Sequence, residues 1–277
     1  MAYEPKITLY FDQKPTERAE VLFESFAAGT ARATVYITVA GRQSEVRGAI
    51  NARVAGALTR IDMQIPFGVP VTYHAEMFDS AGVSLGLTGS TTKTFNVKAT
   101  SLHNPLDPQN AVHVIMASTA AGSISRPVPG SVIHPLNRHV GVVVSGTRQG
   151  VTGVVMDCYT ESDADADKVA AMFGGYSGKT VPVLCLRIGA DVRMRIPRPF
   201  YAAVLDPREE AGAGSKIAWR MTGDEVSPPA PGIFIPLLTR ADINAFYLTR
   251  AAVNSAHPTR LSVNRAYELI GAGNAGA

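Results

Sequence analysis

Pro66-Phe67-Gly68-Val69-Pro70-Val71-Thr72-Tyr73-His74-Ala75-Glu76-Met77 reads as a turn followed by a strand. A β-strand turns successive side chains to opposite faces, so Val71, Tyr73, Ala75 and Met77 share one side while Thr72, His74 and Glu76 share the other. Asp79-Ser80-Ala81-Gly82 then turns the chain back toward Leu85 and Leu87. Upstream, 7–11 and 34–39 are short runs of β-branched and aromatic residues separated by Gly, Pro, Asn and Asp. This spacing predicts an immunoglobulin/fibronectin III-like β-sandwich over residues 1–99. Tyr73 reads equally as a tyrosine corner of that fold and as an ordinary buried tyrosine.

Beyond the sandwich, residues 100–110 (Thr100-Ser101-Leu102-His103-Asn104-Pro105-Leu106-Asp107-Pro108 and on) are polar and broken by proline, which predicts a linker. Residues 111–226 carry longer apolar runs at 112–117, 140–144, 151–159, 181–188, 201–205 and 217–221. One helix interrupts them. Ser162 is its N-cap, and Asp163, Asp165 and Asp167 sit where the helix dipole favours anions. Val169, Met172 and Phe173 form its apolar stripe, and Gly174-Gly175 end it. The expectation is a second antiparallel β domain with one packed helix. Three prolines in Ser227-Pro228-Pro229-Ala230-Pro231-Gly232 predict an extended spacer over 227–238.

Residues 239–277 repeat at a period of ten. Thr239-Arg240-Ala241-Asp242-Ile243-Asn244 returns as Thr249-Arg250-Ala251-Ala252-Val253-Asn254 and as Thr259-Arg260-Leu261-Ser262-Val263-Asn264. Ten steps of ~100° leave about 80° of residual rotation, so one straight helix would scatter Ile243, Val253 and Val263 around its circumference. Three short helices are expected instead, each capped by its Thr, with Thr239 and Asp242 forming a capping box and Pro258 enforcing a break. Helices this short are marginal alone and need a surface to dock on; a flexible low-complexity tail is the other reading. In the docking reading, Ile243, Val253 and Val263 are anchors, and the Thr, Arg and Asn positions of all three decamers are partner-facing.

The whole chain has 277 residues, 18% charged residues, 25 Gly, 18 Pro and a net charge of +3. That is enough chain for about two cored domains, and the composition suits β modules better than an ordinary cytosolic enzyme. Lys and Arg are spread rather than gathered on one element, which argues against sequence-specific nucleic-acid binding. Two cysteines, Cys158 and Cys185, lie in apolar runs and are expected to be buried free thiols. No basic, apolar leader and no run of ~20 apolar residues is evident, so a chain made in a reducing cytoplasm without membrane insertion is expected.

Several motifs resemble chemistry without its context. Gly174-Gly175-Tyr176-Ser177-Gly178-Lys179-Thr180 lacks the first P-loop glycine, because Phe173 stands there, and it follows a helix instead of opening one. Gly271-Ala272-Gly273-Asn274-Ala275-Gly276 has the dinucleotide spelling with no room for a following helix. Asp163, Asp165 and Asp167 begin like a calcium loop, but Lys168 replaces its glycine and Gly174 its glutamate. His134 and His139 have no cysteine nearby, and Ser145 has no nucleophile elbow. No catalytic, cofactor-binding or metal-binding residue is expected.

The strings Asn104-Pro105-Leu106-Asp107-Pro108-Gln109-Asn110-Ala111-Val112, Val132-Ile133-His134-Pro135-Leu136-Asn137-Arg138 and Val142-Val143-Val144-Ser145-Gly146-Thr147-Arg148-Gln149, with the decamers, resemble minor tail proteins of long-tailed phages infecting Actinobacteria. In that family, terminal Thr-(Trp)-Ala-Asp-(Val/Leu) repeats are common. The middle of the chain is also similar to the ring-forming domain of distal tail proteins. The resemblance implies a multi-copy structural protein of the virion tail tip, joining the tail tube to host-attachment parts and forming part of the genome exit path. Implied partners are copies of itself in a ring, the tail tube, tape measure, tail-tip hub and receptor-binding proteins. Arg240, Arg250 and Arg260 stand where relatives often carry Trp, which shifts docking toward carboxylate or aromatic partners. The alternative expectation is a carbohydrate-binding adhesin contacting the host wall through the sandwich.

Overall fold

The computed structural model describes residues 3–174, 180–211, 216–232 and 238–259, with Ser262, Val263, Ala266 and Leu269. The chain is mainly β with antiparallel sheets. Its first part holds β1 (Lys6–Tyr10), β2 (Arg18–Phe23), β3 (Arg32–Val39), β4 (Arg42–Glu45), β5 (Ala52–Arg53), β6 (Leu58–Asp62), β7 (Pro70–Phe78), β8 (Ser84–Leu87) and β9 (Thr91–Thr94). The alternation of β7 carries into three dimensions: Val71, Tyr73, Ala75 and Met77 are buried, and the residues between them are half-buried. β7 pairs with β3 from Arg32↔Phe78 to Val39↔Val71. One sheet runs β1-β2-β6; the other runs β4-β3-β7-β8, with β5 on β3 and β9 on β7. Ala19, Val21 and Phe23 of β2 meet Val35 of β3 and Val71 and Tyr73 of β7 in one core. Each buried Val or Phe contributes roughly 1.5–3 kcal/mol. Tyr73 donates its hydroxyl to the side chain of Asp62 at 2.8 Å.

The second part holds β10 (Thr100–Asn104), β11 (Asp107–Met116), β12 (Gly130–Ile133), β13 (Val142–Ser145), β14 (Val154–Val155), β15 (Cys158–Thr160), α1 (Asp163–Ala171), β16 (Val183–Arg187), β17 (Phe200–Ala203), β18 (Arg208–Ala211), β19 (Ile217–Arg220) and β20 (Thr222–Glu225). Nine strands form a sheet in the order β14-β20-β17-β16-β10-β11-β15-β19-β18. Only Met221 separates β19 from β20, and Met156 N–H donates to its carbonyl at 2.8 Å. The bent pair β14/β15 with β19/β20 therefore joins β11 on one flank to β17 on the other, and the sheet curls into a half-barrel. Leu102, Val114, Met156, Leu184, Phe200 and Trp219 pack in its core. α1 adds Ala166 and Val169, and Met172, its C-cap, joins them. Ser162 caps it by accepting from Asp165 N–H at 3.2 Å.

Three expectations are corrected. The predicted linker 100–110 is the β10–β11 hairpin, and all five residues of β10 are buried. Pro105 lies in the two-residue turn, where Asn104 Oδ1 accepts from Leu106 N–H at 2.9 Å, and Pro108 lies in β11; Ser101 and His103 face a buried polar joint around Arg187. The apolar run 140–144 belongs to no core: β12 and β13 form a separate two-stranded ribbon, exposed throughout. The Pro-rich connector is not a free spacer. Arg47 donates to the carbonyls of Pro229 at 2.6 Å and Ala230 at 3.0 Å, and Gly48 N–H donates to that of Pro231 at 3.1 Å.

Candidate assembly surfaces

The threonine that opens each C-terminal decamer accepts from the backbone three residues on. Thr239 Oγ1 accepts from Asp242 N–H at 3.2 Å, Thr249 Oγ1 from Ala252 N–H at 3.2 Å, and Thr259 Oγ1 from Ser262 N–H at 3.1 Å. The first two caps open α2 (Arg240–Phe246) and α3 (Arg250–Ala256). Asp242 completes a capping box by accepting from Thr239 N–H at 2.8 Å. Arg240, Asn244, Arg250, Asn254 and Thr259 are exposed, whereas Ile243, Val253 and Val263 are half-buried. Arg260, Asn264 and the Gly/Ala-rich end lie outside the described residues, as does 175–179 of the P-loop-like string.

Sequence reasoning missed the residues that hold one decamer to the next. Tyr247 Oη and His257 Nε2 lie 3.0 Å apart, with their rings edge-on at 5.7 Å. The signal was an aromatic ring recurring nine positions into each decamer: Tyr247, His257 and, in sequence, Tyr267. It also missed Phe246 at 63% and Leu248 at 97%, the most exposed large apolar side chains among the described residues of the decamers. Side chains of this size in solvent mark a surface awaiting cover when they cluster.

Between the N-terminal sheets and the half-barrel lies a polar joint. Arg187 of β16 is fully buried. It donates to Glu17 O at 2.7 Å, to Ser101 Oγ at 3.1 Å, to Glu17 Oε2 at 3.3 Å and to Thr16 Oγ1, and its guanidinium lies 4.4 Å from the centre of the Phe67 ring. Glu17 Oε1 is 2.5 Å from His113 Nε2. Burial alone raises the Glu17 carboxyl, but the His113 hydrogen bond and the Arg187 charge outweigh it, so the net shift is downward. Burial holds Asp62 above its ordinary value and His103 well below its own, and Arg187 and Arg47 push His103 further down. Neither His103 ring nitrogen has a hydrogen-bond partner, so this ring is a neutral filler.

Two glycines let the backbones close on this joint. A Cβ on Gly189 would stand 2.0 Å from Lys98 O, and one on Gly68, where φ is +70°, would stand 2.8 Å from Ala190 Cα. Cys158 and Cys185 are buried and free, each pushed up to about 12 chiefly by burial, which leaves both thiols inert. Next to the joint, Arg42, Arg47, Asp62, Gln64, Arg198 and Tyr201 line a cleft of about 550 Å³.

The residues that looked like chemistry stay apart. Asp165 serves α1 by pairing with Ser162 and, at 3.3 Å, with Lys168. His134 and His139 are exposed on the ribbon. Among the described residues no group of three His, Cys, Asp or Glu side chains could hold a metal, and no helix is long and apolar enough to cross a membrane. No family model, curated protein or solved structure matches the chain.

Proposed function

We propose that this chain is a structural protein of a phage tail tip, present in several copies that connect the tail tube to the host-attachment parts and surround part of the genome's exit path. The observation that carries the proposal is a two-part body, joined through buried Arg187, with apolar side chains in solvent on two elements: the β12–β13 ribbon and the C-terminal decamers. A monomer that works alone has no use for a Leu248 that is 97% exposed beside a Phe246 that is 63% exposed. The sequence resemblance supplies the setting, a tail, and the physical features supply the need for neighbours.

In this reading the decamers are short helical repeats that dock in trans. Thr239, Thr249 and Thr259 hold each unit in shape. Ile243, Val253 and Val263, with Phe246 and Leu248, meet the neighbour's apolar surface. Arg240, Arg250 and Arg260, with Asn244, Asn254 and Asn264, read its polar rim. Buried Arg187 fixes the N-terminal sheets to the half-barrel, so both travel as one block. The partners are copies of the chain and other tail proteins; no catalytic or cofactor role is part of the proposal.

The test is truncation after Leu238. The shortened chain is expected to unfold at nearly the same denaturant midpoint as the whole chain, because no described residue beyond 238 belongs to either core cluster, and to be missing from assembled tails. Normal incorporation of the truncated chain would overturn the docking role.

A further inference from the structure

The ribbon asks for a more specific partner than the proposal above gives it. It leaves the half-barrel at the Ser125↔Thr152 bridge and runs to Ile133↔Val142, a reach of roughly 25 Å at ~3.3 Å per residue. Val132, Ile133, Val142, Val143 and Val144 are all 42% exposed or more, and Leu136 at the tip is 95% exposed. The register Ser131↔Val144, Val132↔Val143 and Ile133↔Val142 puts apolar side chains on both faces. A lone two-stranded ribbon is marginally stable in water, and one greasy on both faces and open along both edges invites pairing with further strands.

Its charge is equally one-sided. From Pro108 to Met156 there is no Asp or Glu, while Arg126, Arg138 and Arg148 and three histidines fall in that span. A surface complementary to such an arm would offer carboxylates, a free strand edge and an apolar side chain beside it. The chain has one. β18 ends the nine-stranded sheet, and among the described residues it pairs only with β19. All four of its residues are exposed: Arg208, which pairs with Asp206 at 2.8 Å, Glu209, Glu210, which pairs with Arg220 at 3.0 Å, and Ala211. Asp206 lies two residues before it, and Leu205, 82% exposed, lies three before. Across the sheet the register Thr160↔Ile217↔Ala211 brings Glu161 to the Ala211 end of β18, opposite the end that Leu205 and Asp206 precede.

We infer that the 125–152 ribbon is a strand-donating arm received by the β18 edge of a second copy of this chain. The contact is head-to-tail, because arm and receiver are different surfaces, and head-to-tail contacts generate rings or filaments. Main-chain hydrogen bonds along the free edge supply affinity, the valines cover Leu205, and Arg138 and Arg148 meet Glu209 and Glu210. The inference rests on the multi-copy reading above and names the surfaces through which copies meet.

The test uses the full chain and two variants, Arg138→Glu/Arg148→Glu on the arm and Glu209→Arg/Glu210→Arg on the edge, with light scattering across concentration and salt. The native chain is expected to self-associate, more weakly as salt rises. Each variant alone is expected to associate at least about tenfold more weakly, a loss of ~1.4 kcal/mol or more, with its unfolding midpoint unchanged; the two mixed together are expected to recover a complex. Mixing Val143→Cys chains with Glu209→Cys chains under mild oxidation is expected to give the mixed disulfide. A native chain that stays monomeric at every concentration overturns the inference. So does association untouched by either reversal, or weakened by the arm variant only, or binding of the arm to phosphatidylcholine vesicles with no change in self-association. Absence of the chain from tails would sink the tail-tip reading while leaving these outcomes as they stand.

Discussion

β7 and β13 are written in the same alphabet and live in opposite surroundings. Val71 in β7 is fully buried against β2 and β3, whereas Val143 in β13 is 68% exposed on a ribbon. Both strands are β-branched and antiparallel, and both pair in regular register. They differ in what lies opposite. β7 alternates with polar residues and so has one face to hide, which the rest of its own chain covers. β13 is Val-Val-Val-Ser, with no polar alternation until its end, and its own fold covers neither face. Composition reports that a strand wants cover; it does not report which molecule gives it.

The contrast is broken most strongly at the joint. Arg187→Ala leaves Glu17, 2% exposed, with His113 as its remaining side-chain partner besides Thr16; losing one member of a buried ion pair costs about 3–5 kcal/mol. Urea unfolding is expected to show that loss, and a loss under about 1 kcal/mol would mean the joint is wetter than its geometry. The valines sharpen the contrast directly. Val71→Ala removes two methyl groups from a packed core, at about 2 kcal/mol, and Val143→Ala is expected to stay within ~0.5 kcal/mol while altering self-association. Equal destabilisation by both, measured below the concentration of association, would place the ribbon in its own core.

Acid gives the smallest and most discriminating effect. Glu17 has a folded value below 4.5, so its contribution is present above that pH and is lost as pH falls through the folded value. Asp62 is raised above 3.8, so its contribution is present below that pH and is lost as pH rises through the folded value. Between pH 7 and 3, Glu17→Gln is therefore expected to flatten the fall of the urea midpoint and Asp62→Asn to steepen it. The same sign for both would refute the assignment of their surroundings.

Legibility followed the physics of each element. Period-two alternation gave β7, and Ser162 with three aspartates gave α1, because one face or one terminus decides such elements locally. The threonine caps of α2 and α3 were readable for the same reason. β10 was not. Its Ser101 and His103 look like linker residues because they face Arg187 and its neighbours instead of an apolar core, and that environment comes from residues 85 positions away and more. The ribbon escaped for the opposite reason: five apolar residues in a row read as core, and nothing local says the core belongs to another molecule. Among the proposed docking residues, the β-branched anchors were legible from their period, while Phe246 and Leu248 fall between the repeated positions.

The central claim is that this body is built to be covered by neighbours in a tail tip. Locating a tagged copy of this chain by electron microscopy in the phage particles that the proposal assigns it to tests that claim most directly. Several copies at the distal end of the tail, with the ribbon and decamers buried between subunits, is the predicted result. A chain absent from the particle, or present with both elements still in solvent, would contradict it.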